Sequence, residues 1–322
     1  MGARPRDRVL FFGLPLGALA LERAGLRVVG AGVRGRAPGL SRLRRRLAAV
    51  GAPLLERPSL DDDAVLDRLA ATRPDQIAVW FWPRLLPPAV LRLAPFAFNV
   101  HPSLLPRHRG PDPYFWALAE RDEVVGVSAH RLGPSFDSGP IIGHLAFPMP
   151  ARGNAWALAR WLDRPGLRLL CGVARAHAAG VELSARRQLE ARVTEAPHPL
   201  PEQCELRWRR PTAELLALVR AAAPEPGAYT EVGDGVLLVV LAASPAERPG
   251  SFLSPGRGVR TGRGILVGTG DGAMRVDVAR VERRDGDEAR RGPTARGAAV
   301  AELAPRLPFL GRPATKIQGC PR

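Results

Sequence analysis

The segment Ala97-Phe-Asn-Val-His101 has the apolar pattern of a buried strand and carries two hydrogen-bonding side chains, Asn99 and His101. Asn99 and His101 are two residues apart, so both side chains face the same side of a strand. Pro102 follows at once and ends the strand, because proline has no backbone N–H for the ladder. In open α/β sheets, ligands bind at the carboxyl ends of the strands. We therefore expect a binding site where this strand ends.

Strand and helix signals alternate on both sides of this segment. We predict further strands at residues 9–12, 26–33, 76–81, 123–132 and 140–147, and helices at residues 16–24, 41–50, 61–72 and 154–180. Continuous apolar strands separated by helices indicate a parallel sheet with both faces covered. The predicted fold class is therefore α/β, with a Rossmann-like, mostly parallel sheet.

The prolines at residues 192–204 indicate a linker that ends a first domain of residues 1–191. A predicted helix at 211–223 follows, and then the pattern changes to short strands with Gly-Asp-Gly turns. The strands are predicted at residues 235–242, 264–268 and 273–282, and the turns at 233–235 and 270–272. This pattern predicts a small, OB-like β-barrel at residues 205–284. Residues 285–322, rich in arginine, glycine and proline, are predicted to form a tail.

The apolar run at residues 9–21 resembles a secretory signal segment as well as a buried strand and helix. Pro15 interrupts it, and it is shorter than the roughly 20 residues that span a bilayer, so the strand interpretation is preferred. The cysteines Cys171, Cys204 and Cys320 are widely spaced and contain no CxxC, which favours neither a disulfide framework nor a metal site. We therefore expect a cytoplasmic protein with no membrane partner.

The net charge of +16 comes almost entirely from arginine, since Lys316 is the only lysine among 47 basic residues. Part of this charge therefore reflects composition, although a basic chain favours anionic partners. The local pattern is more informative. Residues 34–46 contain six arginines and no acidic residue, directly after the second predicted strand.

Asn99 and His101 are donors that can hold an oxyanion at the carboxyl edge of the sheet. Asp137, in the glycine-bounded loop 133–139, supplies a carboxylate that can act as a base and orient the imidazole. A trio without a serine or cysteine nucleophile suits group transfer from a cofactor to a nucleophilic substrate. Single histidines are more often structural, so the trio alone leaves that alternative open.

Residues 98–110, FNVHPSLLPRHRG, resemble the signature of the folate-dependent formyltransferases, and the resemblance continues with GVSAH at 126–130 and FDSGPII at 136–142. Similar motifs at 74–87 and 208–230 extend it over nearly the whole chain except the tail. The resemblance implies 10-formyltetrahydrofolate as co-substrate, no metal, and transfer of the formyl group to an amine. It assigns the oxyanion to Asn99 and His101, and the proton transfer to Asp137.

The resemblance also implies a folate pocket. The leucines among its expected lining residues could instead be ordinary core residues. Its expected lining residues are Ser103, Leu104, Leu105, Pro106, Leu85, Leu86 and Gly139. Within the family, the two-domain layout is typical of the members that formylate initiator methionyl-tRNA. The arginines expected to contact tRNA phosphates are Arg36, Arg42, Arg44, Arg45 and Arg46.

Two alternatives remain open. The segment between residues 29 and 53 is shorter than is typical of the family and lacks lysine, and the arginines at 42–46 also fit the solvated face of a helix. An amino-sugar nucleotide or another biosynthetic amine is therefore the alternative acceptor, and His130 could contact such a substrate or fill a polar gap. A catalytically degenerate RNA-binding protein is the alternative outside the enzymes.

Overall fold

A computed structural model describes residues 6–232, 236–246, 253–285 and 288–303 of the chain. These residues form two units. The first holds the described residues up to Pro113, together with Glu123–Met149 and Ala159–Pro197. The second holds Tyr114–Asp122, Pro150–Leu158 and the described residues from His198 onward.

Up to residue 178, the described chain contains seven strands and six helices. The strands are β1 (Arg8–Gly13), β2 (Arg27–Val33), β3 (Leu54–Glu56), β4 (Gln76–Trp80), β5 (Phe96–His101), β6 (Val124–Arg131) and β7 (Ile141–Pro148). The helices are α1 (Pro15–Arg23), α2 (Leu40–Ala49), α3 (Asp63–Ala70), α4 (Pro88–Leu91), α5 (Pro113–Ala119) and α6 (Ala155–Ala178). The predicted long elements are confirmed to within a few residues. The short elements β3, α4 and α5 were missed, because so few residues show no periodicity.

The seven strands form one sheet in the order β3-β2-β1-β4-β5-β6-β7. The first five pair in parallel, whereas β6 is antiparallel to both of its neighbours. This confirms the Rossmann-like, mostly parallel sheet. Because the chain moves outward from β1 to β3 and then returns to β4, the topological switch lies between β1 and β4, one strand from β5.

The apolar run near the amino terminus forms the centre of the sheet. Its residues Val9, Leu10, Phe11 and Phe12 have no exposed surface, because β1 lies between two parallel strands with both faces covered. Pro15 stands at the first position of α1, where its missing N–H costs no helical hydrogen bond. The strand-and-helix interpretation is confirmed. In the described part of the chain, no helix has both the length and the apolar character needed to cross a membrane.

The second unit contains an antiparallel sheet. Its elements are α7 (Thr212–Ala222), β8 (Ala228–Glu231), β9 (Val236–Pro245), β10 (Gly258–Thr261), β11 (Gly264–Gly268), β12 (Ala273–Asp285), β13 (Glu288–Arg296) and α8 (Val300–Leu303). The strand order is β10-β11-β12-β9-β8, and β13 also pairs with β12. The long β12 pairs along one edge with β9 and along the other with β11 and then β13. Because β12 pairs with β11 over one part of its edge and with β13 over the rest, the sheet branches at this strand, as sheets do at the corner strands of small barrels.

The predicted tail requires correction. Residues 288–296, assigned to the tail, form β13 and pair with β12, so the sheet extends past the predicted boundary at residue 284. The arginines of β13, together with Gly292 and Pro293, hid the strand, because they break the alternation of apolar and polar residues. The predicted turn at 233–235, the tail from residue 304 and Cys320 lie outside the described residues.

Candidate active site

The three side chains singled out in the sequence meet at the carboxyl edge of the first sheet. Asn99 and His101 lie near the end of β5, and Asp137 lies in the loop between β6 and β7. The Nδ1 atom of His101 lies 3.3 Å from Oδ2 of Asp137. The Asn99 amide nitrogen donates to Oδ1 of the same carboxylate over 3.3 Å. One carboxylate therefore joins the two strand residues.

Asp137 is held as a buried carboxylate. Its side chain is 10% exposed, and the backbone N–H of Gly110 donates to its Oδ2 over 3.1 Å. Burial acts to raise the pKa of Asp137, but the charge of His101 and hydrogen bonds from His130 and Gly110 outweigh it and hold that pKa well below its usual range. Asp137 therefore accepts hydrogen bonds as a carboxylate at neutral pH.

His101 lies between two acceptors. Its Nε2 atom lies 2.8 Å from the backbone carbonyl oxygen of His108, and its Nδ1 atom faces Asp137. Burial lowers the pKa of His101, although the attraction of Asp137 partly opposes this change. The neutral ring has one N–H, so it donates to one acceptor, whereas the imidazolium donates to both. The site thus accommodates a proton that arrives transiently on this ring.

His130, whose role the sequence left open, belongs to the same cluster. It stands directly opposite Asn99 in the β5–β6 pairing. Its Nε2 lies 3.1 Å from the Asn99 amide nitrogen and 3.3 Å from Oδ1 of Asp137, and its Nδ1 lies 2.8 Å from the Arg131 carbonyl. With its only proton on Nδ1, His130 donates to that carbonyl and accepts from Asn99, whereas with a second proton on Nε2 it donates to Asp137 instead. The antiparallel register of β5 and β6 is the signal that would have revealed this residue.

The expected folate residues separate into buried and accessible groups. Ser103 uses its hydroxyl to close the turn onto the Arg107 carbonyl over 2.7 Å, and Leu105 is 3% exposed. Leu86 belongs to the hydrophobic core, whereas Leu85 is 44% exposed. Leu104 and Pro106 are half-buried.

Gly139 is required by close packing. A Cβ atom on Gly139 would lie 1.8 Å from the carbonyl oxygen of Arg131, so no other residue fits without a backbone shift. The loop that carries Asp137 therefore runs directly against the end of β6.

The basic cluster lies partly on α2, which the predicted helix at 41–50 anticipated, and partly in the connection before it. Leu40, Leu43 and Leu47 form the buried face of α2, and its four arginines are exposed. Of these, Arg44 pairs with Glu56 and Arg46 with Glu22. Arg42 and Arg45 form no ion pair with any described residue, and Arg36, in the connection before α2, is exposed. Half of the helical arginines are thus already neutralised by acidic partners.

Sequence reasoning missed two polar residues beside Asp137. Arg109 and Gln188 are buried and hydrogen-bonded to each other, although they are far apart in the chain. Arg109 lies within the motif at 98–110, which was a usable signal. Gln188 precedes the predicted linker and stands in no pattern that indicates a site.

Both units match family models. Residues 35–165 match the formyl transferase family, and residues 200–290 match the formyl transferase C-terminal domain. The methionyl-tRNA formyltransferase of Chloroflexus aurantiacus is 34% identical to this chain, over 86% of this chain and 93% of that protein. The similarity therefore covers most of this chain and almost the full length of the relative.

Solved structures share the fold at low identity. HypX from Aquifex aeolicus in complex with tetrahydrofolic acid is 21% identical with a TM-score of 0.60, covering 94% of this chain and 48% of HypX. This chain therefore spans about half the length of HypX. The N-formyltransferase from Helicobacter canadensis, in complex with folinic acid and dTDP-3-aminofucose, is 11% identical with a TM-score of 0.65, covering 83% of this chain and 98% of that one.

Proposed function

This chain belongs to the folate-dependent formyltransferase family, and from that premise we propose that it formylates the amino group of initiator methionyl-tRNA. The chain is an N-formyltransferase that uses 10-formyltetrahydrofolate as donor. The observation that carries the choice of acceptor is the 34% identity to a methionyl-tRNA formyltransferase over 93% of that relative. The matched carboxyl-terminal region, residues 200–290, supports the same choice.

The proposed reaction is an attack of the neutral amine on the formyl carbon of the donor. A C–N bond forms, and the carbonyl electron pair moves onto the formyl oxygen. That pair then returns as the bond between the formyl carbon and the donor nitrogen breaks, and the leaving nitrogen takes up the proton lost by the amine. Asp137, whose low pKa makes it a weak base, accepts the amine proton only transiently before the leaving nitrogen takes it up, and His101 beside it stabilises the charge that develops.

Asn99 stabilises the oxyanion in this proposal. Its amide nitrogen contacts both His130 and Asp137, so its two N–H groups already have acceptors. The formyl oxygen must therefore replace one of these acceptors when the donor binds. A donor held in advance near the developing charge needs little reorganisation during the reaction.

The folate donor would bind at the same edge of the sheet. Leu85 is the exposed apolar side chain of the loop after β4, and Leu104 and Pro106 are half-buried beside β5. An exposed leucine at a sheet edge suits contact with a planar ring system. Leu86 and Leu105, both buried, would support this surface from below rather than cover the ligand.

For the tRNA, Arg36, Arg42 and Arg45 are the proposed phosphate contacts. They are exposed and form no ion pair within the described part of the chain, so their charge is available to a polyanion. Arg44 and Arg46 would first have to leave their acidic partners.

The deciding experiment is a substrate competition. Purified full-length protein and 10-formyltetrahydrofolate are offered charged initiator methionyl-tRNA together with a panel of amino-sugar nucleotides, and formylated products are quantified by mass spectrometry. We expect formyl-methionine on the tRNA. Formylation of sugars alone would disprove the tRNA proposal while keeping the enzyme class. The Asp137→Asn variant serves as the inactive control.

A further inference from the structure

The residues after α6 form a strap, defined here as residues 186–196, that lies against the first sheet. Arg186 and Ile141 exchange two backbone hydrogen bonds of 2.7 and 2.9 Å. Further along, the Arg109 N–H donates to the Thr194 carbonyl over 2.9 Å, and the Ala196 N–H donates to the Arg109 carbonyl over 2.6 Å. The strap therefore joins the loop before α5 to the start of β7. Its last part was predicted to be linker, and this packing corrects that prediction.

Gln188 of the strap contacts the backbone of the loop that carries Asp137. Its Nε2 donates to the carbonyl oxygen of Asp137 over 2.6 Å and to that of Gly139 over 2.8 Å. The side chain is buried. Two hydrogen bonds from one amide group thus span the residues on both sides of Ser138.

Arg109 fixes the orientation of this amide. Its Nε and Nη2 donate to Oε1 of Gln188 over 3.0 and 2.9 Å, and its guanidinium also pairs with Glu190. Because guanidinium nitrogens are donors only, the amide oxygen must face Arg109 and the amide nitrogen must face the two carbonyls. A flipped amide would lose all four contacts.

The backbone of Asp137 requires such support. Its φ angle is +50°, in the left-handed region that side-chain-bearing residues rarely adopt. Residues in such conformations persist where the surroundings hold them, and they are frequent at active sites. We propose that Gln188 is a positioning residue that holds Asp137 in register with His101 and Asn99. The expected effect on kcat rests on the proposed function, whereas the positioning of Asp137 by Gln188 does not depend on which amine is formylated.

Gln76 provides a matched control within the same unit. It is a fully buried glutamine whose Nε2 also donates to two backbone carbonyls, those of Arg6 and Ala174, both over 3.1 Å. Its contacts hold β4 and not the loop of Asp137. Gln76→Leu therefore removes two buried amide-to-carbonyl hydrogen bonds without touching the catalytic trio, whereas Gln188→Leu removes two such bonds and the two that Gln188 accepts from Arg109.

The experiment compares Gln188→Leu with Gln76→Leu in the full-length enzyme. We expect Gln188→Leu to lower kcat about 100-fold with little change in KM for the tRNA, because a displacement of about 1 Å in a reacting group costs that much. Gln76→Leu is expected to lower Tm and leave kcat near that of the wild type. Equal losses of kcat in the two variants would overturn the proposal. If Gln188→Leu does not fold, Gln188→Glu, which keeps an acceptor for Arg109 but has no N–H, takes its place.

A second readout needs no substrate. The His101 imidazole, which faces Asp137, His108 and His130, is titrated by NMR in histidine-labelled protein and assigned by its loss in His101→Gln. Displacing Asp137 removes the attraction that favours the charged ring, so the midpoint should move to lower pH in Gln188→Leu and not in Gln76→Leu. An unchanged midpoint would overturn the proposal. If the wild-type enzyme formylates no tRNA, the proposed acceptor is wrong, and this titration alone decides the role of Gln188.

Discussion

At the scale of single residues, the site is organised around one carboxylate. Asp137 accepts hydrogen bonds from Asn99 and the Gly110 N–H, and its oxygens lie 3.3 Å from His101 and His130. These partners keep it ionised although it is buried. Substitutions can therefore remove the charge of Asp137 and keep its position, or displace Asp137 and keep its charge.

Asp137→Asn keeps the shape of the side chain and removes its charge. Loss of a positioned general base, the role proposed for Asp137, costs about 10²- to 10⁴-fold, so we expect kcat to fall within that range. Tm should fall as well, because the lowered pKa of Asp137 means that its charge stabilises the folded state. Steady-state formylation kinetics test this expectation. The control is Asp163→Asn on α6, a half-buried carboxyl outside the site, which should retain wild-type kcat. Similar losses in both variants would contradict the role of Asp137.

His130 should act through Asn99. We expect Asn99→Ala to lower kcat about 10²- to 10³-fold, as removal of an oxyanion donor does. His130→Ala should lower it less, because it removes a contact that orients the Asn99 amide and leaves the oxyanion donor itself in place. In a double-mutant cycle, the double variant should resemble Asn99→Ala alone, since a positioning residue has no effect once its target is absent. Fully additive losses would indicate an independent role for His130.

At the scale of elements, α2 combines packing with charge. Its leucines at positions 40, 43 and 47 lie on one face, which forces all four arginines outward. Tertiary contacts then divide the arginines into two pairs of equal charge, one bonded to acidic residues and one without an ion pair among the described residues. This division allows a charge-matched comparison of two double variants.

Arg42→Ala/Arg45→Ala should weaken tRNA binding and flatten its salt dependence. Each lost phosphate contact is expected to reduce the slope of log K against log salt by about one. Arg44→Ala/Arg46→Ala changes the net charge equally but removes arginines that already pair with Glu56 and Glu22, so it should leave a steeper slope. Filter binding at several salt concentrations measures both slopes. Equal slopes in the two variants would rule out local contacts through Arg42 and Arg45.

At the scale of the whole molecule, burial of histidine makes stability depend on pH. Burial lowers the pKa of both His101 and His177 in the folded state. Between those lowered pKa values and about 6.5, the value of an unperturbed histidine, the unfolded chain binds more protons than the folded one. Stability in this window therefore rises with pH and falls on acidification.

We expect the Tm of the transition that contains the first unit to decrease between pH 7 and pH 5. His101→Gln, which cannot titrate, should decrease less over the same range. Differential scanning calorimetry at several pH values provides the measurement. A Tm that is constant over this range in the wild type would contradict the lowered pKa values.

The sequence alone determined the long elements, the fold class and the placement of Asn99 and His101 on the same face of one strand. Local physics decides these features: the apolar runs of β1 and β4, the twofold period of a strand and the ends set by Pro15 and Pro102. The glycine-bounded loop 133–139 then indicated Asp137, and the resemblance to the formyltransferases gave the same residue. Short or arginine-rich elements such as β3 and β13 left no such local signal.

Only the tertiary structure decided which residues complete the site. Gln188 is 51 positions from Asp137, and its contact depends on the path of the chain after α6. His130 reaches Asn99 because β6 reverses direction beside β5, and Glu22 and Glu56 neutralise arginines of α2 from other elements. Contacts of this kind arise from packing between segments that are far apart in the chain, so they produce no periodic pattern in the sequence.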